Sequence, residues 1–198
     1  NCLPVSDGIH PDISDAYTIF RERMLRYPSV TGKGKVKLST YIIVDKRLLH
    51  LQIANAWKRY LSVSCFIIAD DTLACDSFRK SLLLEDMAYD VELKVKDLTQ
   101  MYKQADGWEP DGNTLIITGD LKNVERLLTC PFVVDAIYIS FIRSWAGSYL
   151  VQNYALLDQE DCRILDALDT LPVPLIFQRS PADPAYSWSS IKGSAGYV

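Results

Sequence analysis

The stretch VKLSTYIIVDKRLLHLQIANAWKRYL, residues 36–61, contains a short apolar run followed by a longer run of helical character. The first part, 36–44, predicts a strand, and 51–61 predicts a helix. The same alternation continues along most of the chain. Further strands are predicted at 65–69, 91–95, 114–118, 136–142 and 175–177, and further helices at 98–104, 122–128, 161–168 and after Thr72 as far as Leu84.

This alternation of strands and helices predicts the fold class. Strands joined by helices pair in parallel through right-handed crossovers, and short, continuous apolar strands are typical of a sheet covered on both faces. We therefore expect an α/β fold: a doubly wound, mostly parallel sheet with helices on both faces, plus an N-terminal helical extension. In such sheets ligands bind at the carboxyl ends of the strands, here after Val44, Ala69, Thr118 and Ile142.

Changes in composition divide the chain into three parts. Residues 1–34 are predicted to be an extension made of a loop, one helix at 13–25 and a Gly-containing linker, and the helix is expected to cover an edge of the sheet. Residues 35–180 are predicted to be the α/β domain. Residues 181–198 are rich in Ser, Pro and Gly and are predicted to be a loop-like tail. Because the chain begins with Asn1 rather than Met, we expect a fragment or a processed form.

Composition and charge argue against several classes of protein. With 48% hydrophobic and 23% charged residues, the chain has the composition of a folded globular domain. Its formal net charge of -4 argues against broad binding to nucleic acid or to anionic membranes. No apolar run approaches the roughly 20 residues that a membrane-spanning helix needs. We expect a soluble, single-domain protein that does not bind nucleic acid.

Cysteines and histidines are too few and too scattered to predict a metal site. The 5 cysteines are an odd number without any C-x-x-C pair, and there are only 2 histidines. This pattern argues against a zinc site and against a disulfide scaffold. Free thiols in a reducing cytoplasm are the simpler interpretation.

Charged side chains cluster where the predicted strands end. Asp45, Arg47 and His50 follow the first strand, and Asp70 and Asp71 follow the second. No G-x-G-x-x-G or G-x-x-x-x-G-K-[ST] motif follows any strand, so nothing indicates a nucleotide site. The sequence also lacks a G-x-S-x-G nucleophile elbow. The candidate chemistry therefore lies with the acid, the guanidinium and the imidazole after the first strand.

This cluster after the first strand is suited to phosphoryl chemistry. An imidazole is largely neutral at pH 7 and can act as a nucleophile, and a guanidinium fits the equatorial oxygens of a phosphoryl group. An aspartate could hold the histidine tautomer or orient the arginine. On the residues alone an alternative stays open, in which Asp45 and Arg47 form a solvated ion pair and His50 is a partly buried loop residue.

The segment DKRLLHLQ, residues 45–52, resembles the active-site signature D-x-R-L-[IL]-H-G-Q of one protein family. That family comprises the IIB subunits of the mannose/fructose/sorbose branch of the bacterial phosphoenolpyruvate:sugar phosphotransferase system (PTS), and seven of the eight signature positions are met here. FIIADD at 66–71 is similar to the family's strand ending in N-D-D, and 115–128 and 157–168 are similar to later elements. The resemblance runs in the right order over roughly 37–179.

The resemblance implies a role for each matching residue. His50 is expected to be the phosphorylated nucleophile, Arg47 to stabilise the phosphoryl group during transfer, and Asp45 to orient the site. Gln52 is expected to help shape the loop. These assignments are implied by the family motif rather than by composition or spacing.

Asp70 and Asp71 have two interpretations. By resemblance they line the same cleft as the histidine or shape its wall. Alternatively, they are a helix N-cap and a first-turn acid, positions where carboxylates stabilise a helix in any fold.

Ala69 replaces the Asn of the family's N-D-D element, and three further substitutions replace glycines of the family pattern. Leu51 replaces the glycine after the histidine, and Ser140 and Phe141 align with the two glycines of a second loop, N-[IV]-G-G-M. A glycine that needs a positive φ or a close approach of backbone to phosphate is poorly replaced by such residues, so we expect a narrower phosphate site. Arg143 is expected to compensate with its charge.

The resemblance predicts a phosphohistidine carrier. It implies a IIA phosphohistidine donor, membrane IIC and IID permease subunits, a hexose-type sugar as final acceptor and a possible homodimer, without metal or cofactor. The protein is then cytoplasmic and reaches the inner face of the membrane only through the permease. The competing hypotheses are a IIB fold that has lost phosphotransfer and serves as a binding or regulatory module, and an unrelated α/β domain with a chance motif.

Overall fold

The computed structural model describes Thr18 and residues 38–85, 91–103, 111–144, 149–194 and 196–197. The strands within these ranges are β1 (Thr40–Asp45), β2 (Val63–Ala69), β3 (Glu92–Lys96), β4 (Asn113–Thr118), β5 (Ala136–Arg143), β6 (Tyr149–Gln152), β7 (Ala155–Leu157), β8 (Leu175–Phe177), β9 (Tyr186–Ser187) and β10 (Gly196–Tyr197).

Helices cover the sheet. They are α1 (Lys58–Leu61), α2 (Asp71–Cys75), α3 (Ser77–Glu85), α4 (Leu98–Lys103), α5 (Leu121–Leu128), α6 (Gln159–Leu168) and α7 (Trp188–Ile191). A π-helical turn, Ile53–Trp57, leads directly into α1, and a 3-10 turn, Lys192–Ser194, follows α7. None of the helices in the described ranges is long and apolar enough to cross a membrane.

The centre of the sheet is parallel. Its spatial order is β3-β2-β4-β1-β5-β8, and each neighbouring pair in that order runs in the same direction. β7 continues the parallel pairing beyond β5, while β6, β9 and β10 join the edges in antiparallel pairs. This confirms the predicted α/β fold with a mostly parallel sheet.

Apolar residues pack against both faces of the sheet. On one face, the π-turn and α1 bury Ile53 and Trp57 against strand residues such as Phe66. Trp57 has no exposed surface, and its ring centroid lies 4.7 Å from that of Tyr138 on β5. On the opposite face α4, α5 and α6 cover the same strands, with Leu165 among the fully buried residues. Strands buried on both faces have the near-continuous apolar sequences from which they were predicted.

The segment from Thr72 to Leu84 is predicted to be helical throughout, but the structure interrupts the helix at Asp76. Asp76 has an extended backbone between α2 and α3, and its carboxylate accepts the backbone N–H of Arg79 at 2.9 Å. An aspartate offers the backbone such a cap in place of a helical hydrogen bond. The segment therefore folds as two short helices.

The prediction that 181–198 is loop-like is wrong over much of that segment. β9 pairs with β8, and Trp188, which is 2% exposed, stacks on Phe177 at a centroid distance of 5.6 Å. Its indole N–H also donates to Asp166 at 2.7 Å. A single tryptophan thus anchors a segment whose Ser, Pro and Gly content is typical of loops. The predicted extension at 1–34 lies outside the described residues apart from Thr18.

Candidate functional site

The loop after β1 is held in a tight turn at the carboxyl edge of the sheet. The backbone N–H of Leu48 donates to the carbonyl of Asp45 at 2.8 Å, and that of Lys46 donates to Phe141 on β5 at 2.9 Å. Leu48 has a φ of 57°, in the left-handed region. A non-glycine residue in that region costs about 1 kcal/mol or more, and such strain persists where surrounding contacts fix it. The loop brings the side chains of Arg47 and His50 into contact with Asp45.

Asp45 is the centre of these contacts, although it has no exposed surface. Its Oδ1 accepts the backbone N–H of Arg47 at 3.0 Å and Nε of Arg47 at 2.9 Å, and its Oδ2 accepts Nη2 of Arg47 at 2.7 Å. Oδ2 also lies 3.0 Å from Nε2 of His50. A buried carboxylate is stable only when it is paired and hydrogen-bonded, and these contacts meet that need.

The charge of Asp45 is fixed by the same partners. Burial by itself raises the pKa of this carboxyl, but hydrogen bonds from Arg47 and His50 outweigh burial, and the pKa lies below its ordinary value. In return, the hydrogen bond to Asp45 raises the pKa of Arg47. Asp45 is therefore ionised at neutral pH and can hold a neighbouring N–H donor.

His50 presents one ring nitrogen to Asp45 and the other to the start of the following helix. Since the ionised carboxylate can only accept, Nε2 carries the hydrogen and Nδ1 carries the lone pair. The backbone N–H of Gln52 donates to Nδ1 at 3.3 Å, near the upper limit for such a bond. The His50 side chain is 22% exposed. Nδ1 is thus the ring nitrogen that keeps a lone pair.

Two contacts fix the position of the Arg47 side chain. Asp45 accepts hydrogen bonds from Nε and Nη2 of Arg47, and Cζ of Arg47 lies 4.6 Å from the ring centroid of Phe141. A guanidinium held by a carboxylate and by an aromatic face loses little further freedom when it binds an anion. Its side chain is still 37% exposed, which leaves it able to meet a ligand beside His50.

The residues that replace the family glycines differ in where they lie. Leu51 is 73% exposed, and in the described ranges a positive φ at a non-glycine residue is found instead at Leu48 and Ser62. Ser140 has no exposed surface; its hydroxyl lies 3.2 Å from Oδ2 of Asp45 and 2.9 Å from the carbonyl of Arg179. Whether these residues narrow the phosphate site stays a prediction.

Asp70 and Asp71 lie at the end of β2 and are engaged in structural contacts. Asp70 caps α2 by accepting the backbone N–H of Leu73 at 2.7 Å. Asp71 accepts the backbone N–H of Leu98 at 2.8 Å and Nη1 of Arg126 at 2.7 Å. These contacts match the interpretation of a helix N-cap and a first-turn acid.

Two clefts flank the Asp45 cluster. One, of about 430 Å³, lies at the ends of β1, β2 and β4 and is lined by Lys46, Asp70, Asp71 and Arg79 among others, without His50. The second, of about 300 Å³, lies beyond Phe141 and includes Arg143. The structure therefore brings together Asp45, Arg47, His50, Gln52 and Ser140, and it places Asp70, Asp71 and Arg143 in the adjacent clefts. No cluster of three or more side chains able to hold a metal ion occurs among the described residues.

Sequence reasoning missed two contributors to this site. The missing glycine at Leu51 predicts backbone strain there, but the left-handed residue of the loop is Leu48. The sequence predicts only that Phe141 narrows the phosphate site, and in the structure its ring also supports the Arg47 guanidinium. The parallel pairing of β1 with β5, which sets Asp45 opposite Phe141, is the signal that could have suggested that contact.

The family assignment follows from comparison with known proteins. The family described as the PTS system sorbose subfamily IIB component matches residues 39–196. The chain belongs to this IIB family. The match begins one residue before β1 and ends at the first residue of β10, so it includes the loop that holds Asp45, Arg47 and His50.

Individual relatives agree with this assignment. This chain is 25% identical over 142 residues to the mannose-specific EIIAB component of the PTS from Escherichia coli (strain K12). The match covers 71% of this chain and 44% of the relative. The chain thus spans less than half the length of the curated relatives it matches.

Solved structures support the fold. The IIB domain of the sorbose permease from Klebsiella pneumoniae superposes with a TM-score of 0.70 at 18% identity, covering 79% of this chain and 98% of that one. The N-acetylgalactosamine-specific IIB component 1 from Escherichia coli gives a TM-score of 0.69 at 16% identity, covering 74% and 97%. At these identities the likeness concerns the fold alone.

Proposed function

We propose that this IIB domain carries a phosphoryl group on His50, received from a phosphohistidine of a IIA donor and passed to a hexose-type sugar during uptake by a permease. The observation that carries the proposal is the contact of His50 Nε2 with the buried Asp45 carboxylate at 3.0 Å. It leaves the lone pair on Nδ1 of a side chain that is 22% exposed, while the Arg47 guanidinium binds the same carboxylate.

The inward transfer is a substitution at phosphorus. The Nδ1 lone pair forms the new P–N bond while the P–N bond of the donor phosphohistidine breaks, and the donor nitrogen keeps that electron pair. The hydrogen on Nε2 stays in place, so the phosphorylated ring carries a positive charge. The ionised Asp45, whose pKa lies below its ordinary value, stabilises this charge through the Nε2–H bond.

Stabilisation of the phosphoryl oxygens falls to Arg47 and the loop backbone. Phosphoryl transfer proceeds through a loose arrangement with charge on three equatorial oxygens, and positioned cations supply most of the catalysis. The 3.3 Å bond from Gln52 N–H to Nδ1 is long, so freeing the lone pair costs little. The released N–H can then donate to a phosphoryl oxygen. No metal is needed in this scheme.

The outward step reverses these roles. A sugar hydroxyl oxygen attacks phosphorus, the P–Nδ1 bond breaks with its electron pair returning to the ring, and the hydroxyl proton leaves to a base on the permease side or to water. His50 returns to its neutral tautomer, held by Asp45. One nucleophile therefore serves both half-reactions.

Partners and cellular place complete the proposal. The mannose-specific relative is named as a combined A and B component, which supports a IIA donor. IIC and IID permease subunits are the proposed receiving partners, and they place this domain at the cytoplasmic face of the membrane. The homodimer stays a prediction. The alternative of a IIB fold without phosphotransfer gains no support from Leu51, whose side chain is 73% exposed.

The test is charging of the purified protein by a phosphoenolpyruvate-driven relay that contains the general PTS proteins and the IIA encoded beside it. We expect acid-labile, base-stable label on the wild type and none on His50→Ala. His10→Ala is the matched control, because the chain has only 2 histidines, and it should be labelled normally. A folded wild type that takes no label from a charged IIA overturns the proposal.

A further inference from the structure

Ser140 carries a buried hydroxyl at a position where the resemblance, through the second loop N-[IV]-G-G-M, implies a glycine. Its side chain has no exposed surface, and Oγ lies between two acceptors, Oδ2 of Asp45 at 3.2 Å and the carbonyl oxygen of Arg179 at 2.9 Å. A serine hydroxyl has one hydrogen to donate. It can therefore satisfy only one of these acceptors fully at a time.

The Asp45 carboxylate is already saturated without Ser140. Arg47 supplies two donors to Oδ1 and one to Oδ2, and His50 Nε2 supplies another to Oδ2. A carboxylate has about four lone-pair positions, and these four contacts fill them. Ser140 is thus a fifth donor and competes with His50 for the same oxygen.

This competition depends on the charge of the His50 ring. With a neutral ring, the Nε2–H bond to Asp45 is an ordinary one, and the Ser140 hydroxyl can share Oδ2. With a phosphorylated, cationic ring, the Nε2–H bond becomes charge-assisted and stronger, and donation by Ser140 to that oxygen weakens it. The Arg179 carbonyl is the other acceptor within reach, but a hydroxyl that turns fully towards it gives up its bond to Oδ2 of Asp45.

We infer that Ser140 is a positioning residue which acts through Asp45 to make the phosphoryl group on His50 more readily transferable. By donating to Oδ2 it favours the neutral, unphosphorylated ring over the phosphorylated one. A Ser140→Gly variant lacks that donor, so we expect it to hold its phosphoryl group more firmly. The inference rests on the proposed function, since it concerns the stability of the phosphorylated state of His50.

Removal of the hydroxyl tests this inference. Ser140→Ala keeps the Cβ and Ser140→Gly restores the residue of the family signature, so a shared effect belongs to the hydroxyl. The 3.2 Å bond from Ser140 to Asp45 is long and its hydrogen is shared with a second acceptor, so it is weak, and a weak hydrogen bond changes an equilibrium by about fivefold. We expect phosphohistidine in both variants to hydrolyse about fivefold more slowly than in wild type. Ser144→Ala is the matched control, because it removes a serine bond to Asp158 of 2.8 Å away from Asp45.

The measurement is loss of label at neutral pH after charging either by the relay or by phosphoramidate, which phosphorylates histidine without a donor protein. A second readout needs no phosphorylation: in both Ser140 variants the Nε2–H proton resonance of His50 should move downfield, as its bond to Asp45 strengthens. Ser144→Ala should match wild type in both measurements.

The outcomes separate the inference from the proposed function. Hydrolysis rates of Ser140→Ala and Ser140→Gly within twofold of wild type, or faster, overturn the inference and leave His50 as the carrier. Divergent behaviour of the two variants also overturns it, because the Cβ rather than the hydroxyl then matters. A folded wild type that neither donor can label overturns the proposed function and the inference with it.

Discussion

His50 Nε2 lies 3.0 Å from Oδ2 of Asp45. This carboxylate has no exposed surface and also accepts hydrogen bonds from Nε and Nη2 of Arg47. One buried acid therefore sets the tautomer of His50 and the position of the Arg47 guanidinium. The two functional groups are not independent: a change at Asp45 must affect both of them.

Asp45→Asn is expected to slow phosphorylation of His50 by about 100-fold or more. The amide carries no charge to stabilise the phosphorylated ring, and its NH₂ group can turn towards His50 and favour the wrong tautomer. The rate is measured as a single turnover with excess charged donor. A loss of less than about tenfold would contradict the central role of Asp45.

Asp70→Asn is the matched control for that variant. Asp70 lies at the end of β2, which β4 separates from β1 in the sheet, and it caps α2 by accepting the Leu73 N–H. Asparagine caps helices about as well as aspartate. We expect its phosphorylation rate to stay within about twofold of wild type. A large loss of rate would indicate that Asp70 contributes to phosphorylation and not only to the wall of the adjacent cleft.

Arg47→Lys is expected to reduce the phosphorylation rate by roughly 10- to 100-fold, although the positive charge is retained. Lysine cannot bind Asp45 through two parallel N–H bonds, and it stacks less well on Phe141 than a planar guanidinium. The same single-turnover assay measures the effect. A rate equal to that of wild type would show that charge alone is required.

Arg143→Lys makes the same substitution at the end of β5. Arg143 lines the second cleft beyond Phe141, and we expect a change of less than about threefold. A loss as large as that of Arg47→Lys would support the sequence-based hypothesis that Arg143 supplies charge to the phosphate site.

Much of the site could be predicted because its residues are close in sequence. Asp45, Arg47 and His50 lie within one strand-to-helix loop, where sheet topology places ligands, and Gln52 begins the helix that follows. Ser140 and the Arg179 carbonyl could not be connected with Asp45 in this way. Their contacts depend on the exact register of β1, β5 and the exit of β8, including the register shift between Val44 and Asp45.

The fold was predictable where apolar strands are long and continuous, as in β2 and β4. It was not predictable in short elements held by single contacts. α2 and α3 separate because one residue, Asp76, caps the second helix. β9 and α7 form because Trp188 enters the core beside Phe177, an effect that composition averaged over 181–198 conceals.

Asp161 is expected to make the domain less stable as pH rises through about 6. Burial raises the pKa of Asp161 to about 6, although the hydrogen bond from the backbone N–H of Asp158 in the capping box lowers it. The folded state then binds this proton more tightly than the unfolded chain, so the stabilisation is complete below the ordinary pKa of 3.8 and is lost above the folded value.

Asp161→Asn removes this titration while keeping an oxygen that can accept the Asp158 N–H, now at 3.0 Å. Urea unfolding measures the free energy of unfolding at about pH 4 and about pH 7. From pH 4 to pH 7, the free energy of unfolding of the variant should rise by about 1 to 3 kcal/mol relative to that of wild type. Asp169→Asn, at the other end of α6, is the control, and its free energy of unfolding should change with pH as that of wild type does. The same pH dependence in Asp161→Asn and wild type would contradict the prediction.

Trp188→Phe is expected to destabilise the domain by about 1 kcal/mol more than Trp57→Phe. Both indoles are buried, at 2% and 0% exposure, so the loss of packing is similar. Trp188 Nε1 donates to Asp166 at 2.7 Å, whereas Trp57 Nε1 has no hydrogen-bond partner among the described residues. Phenylalanine therefore removes a bond at one site and relieves an unsatisfied donor at the other.

Urea unfolding of both variants measures this difference, and a double-mutant cycle with Asp166→Ala isolates the indole–carboxylate bond. We expect a coupling of about 1 kcal/mol between Trp188 and Asp166, which is modest because Asp166 is partly exposed. If 181–198 were a loop outside the fold, Trp188→Phe would leave the free energy of unfolding unchanged. A clear loss of stability, by contrast, makes β9 and α7 part of the cooperative unit that carries His50.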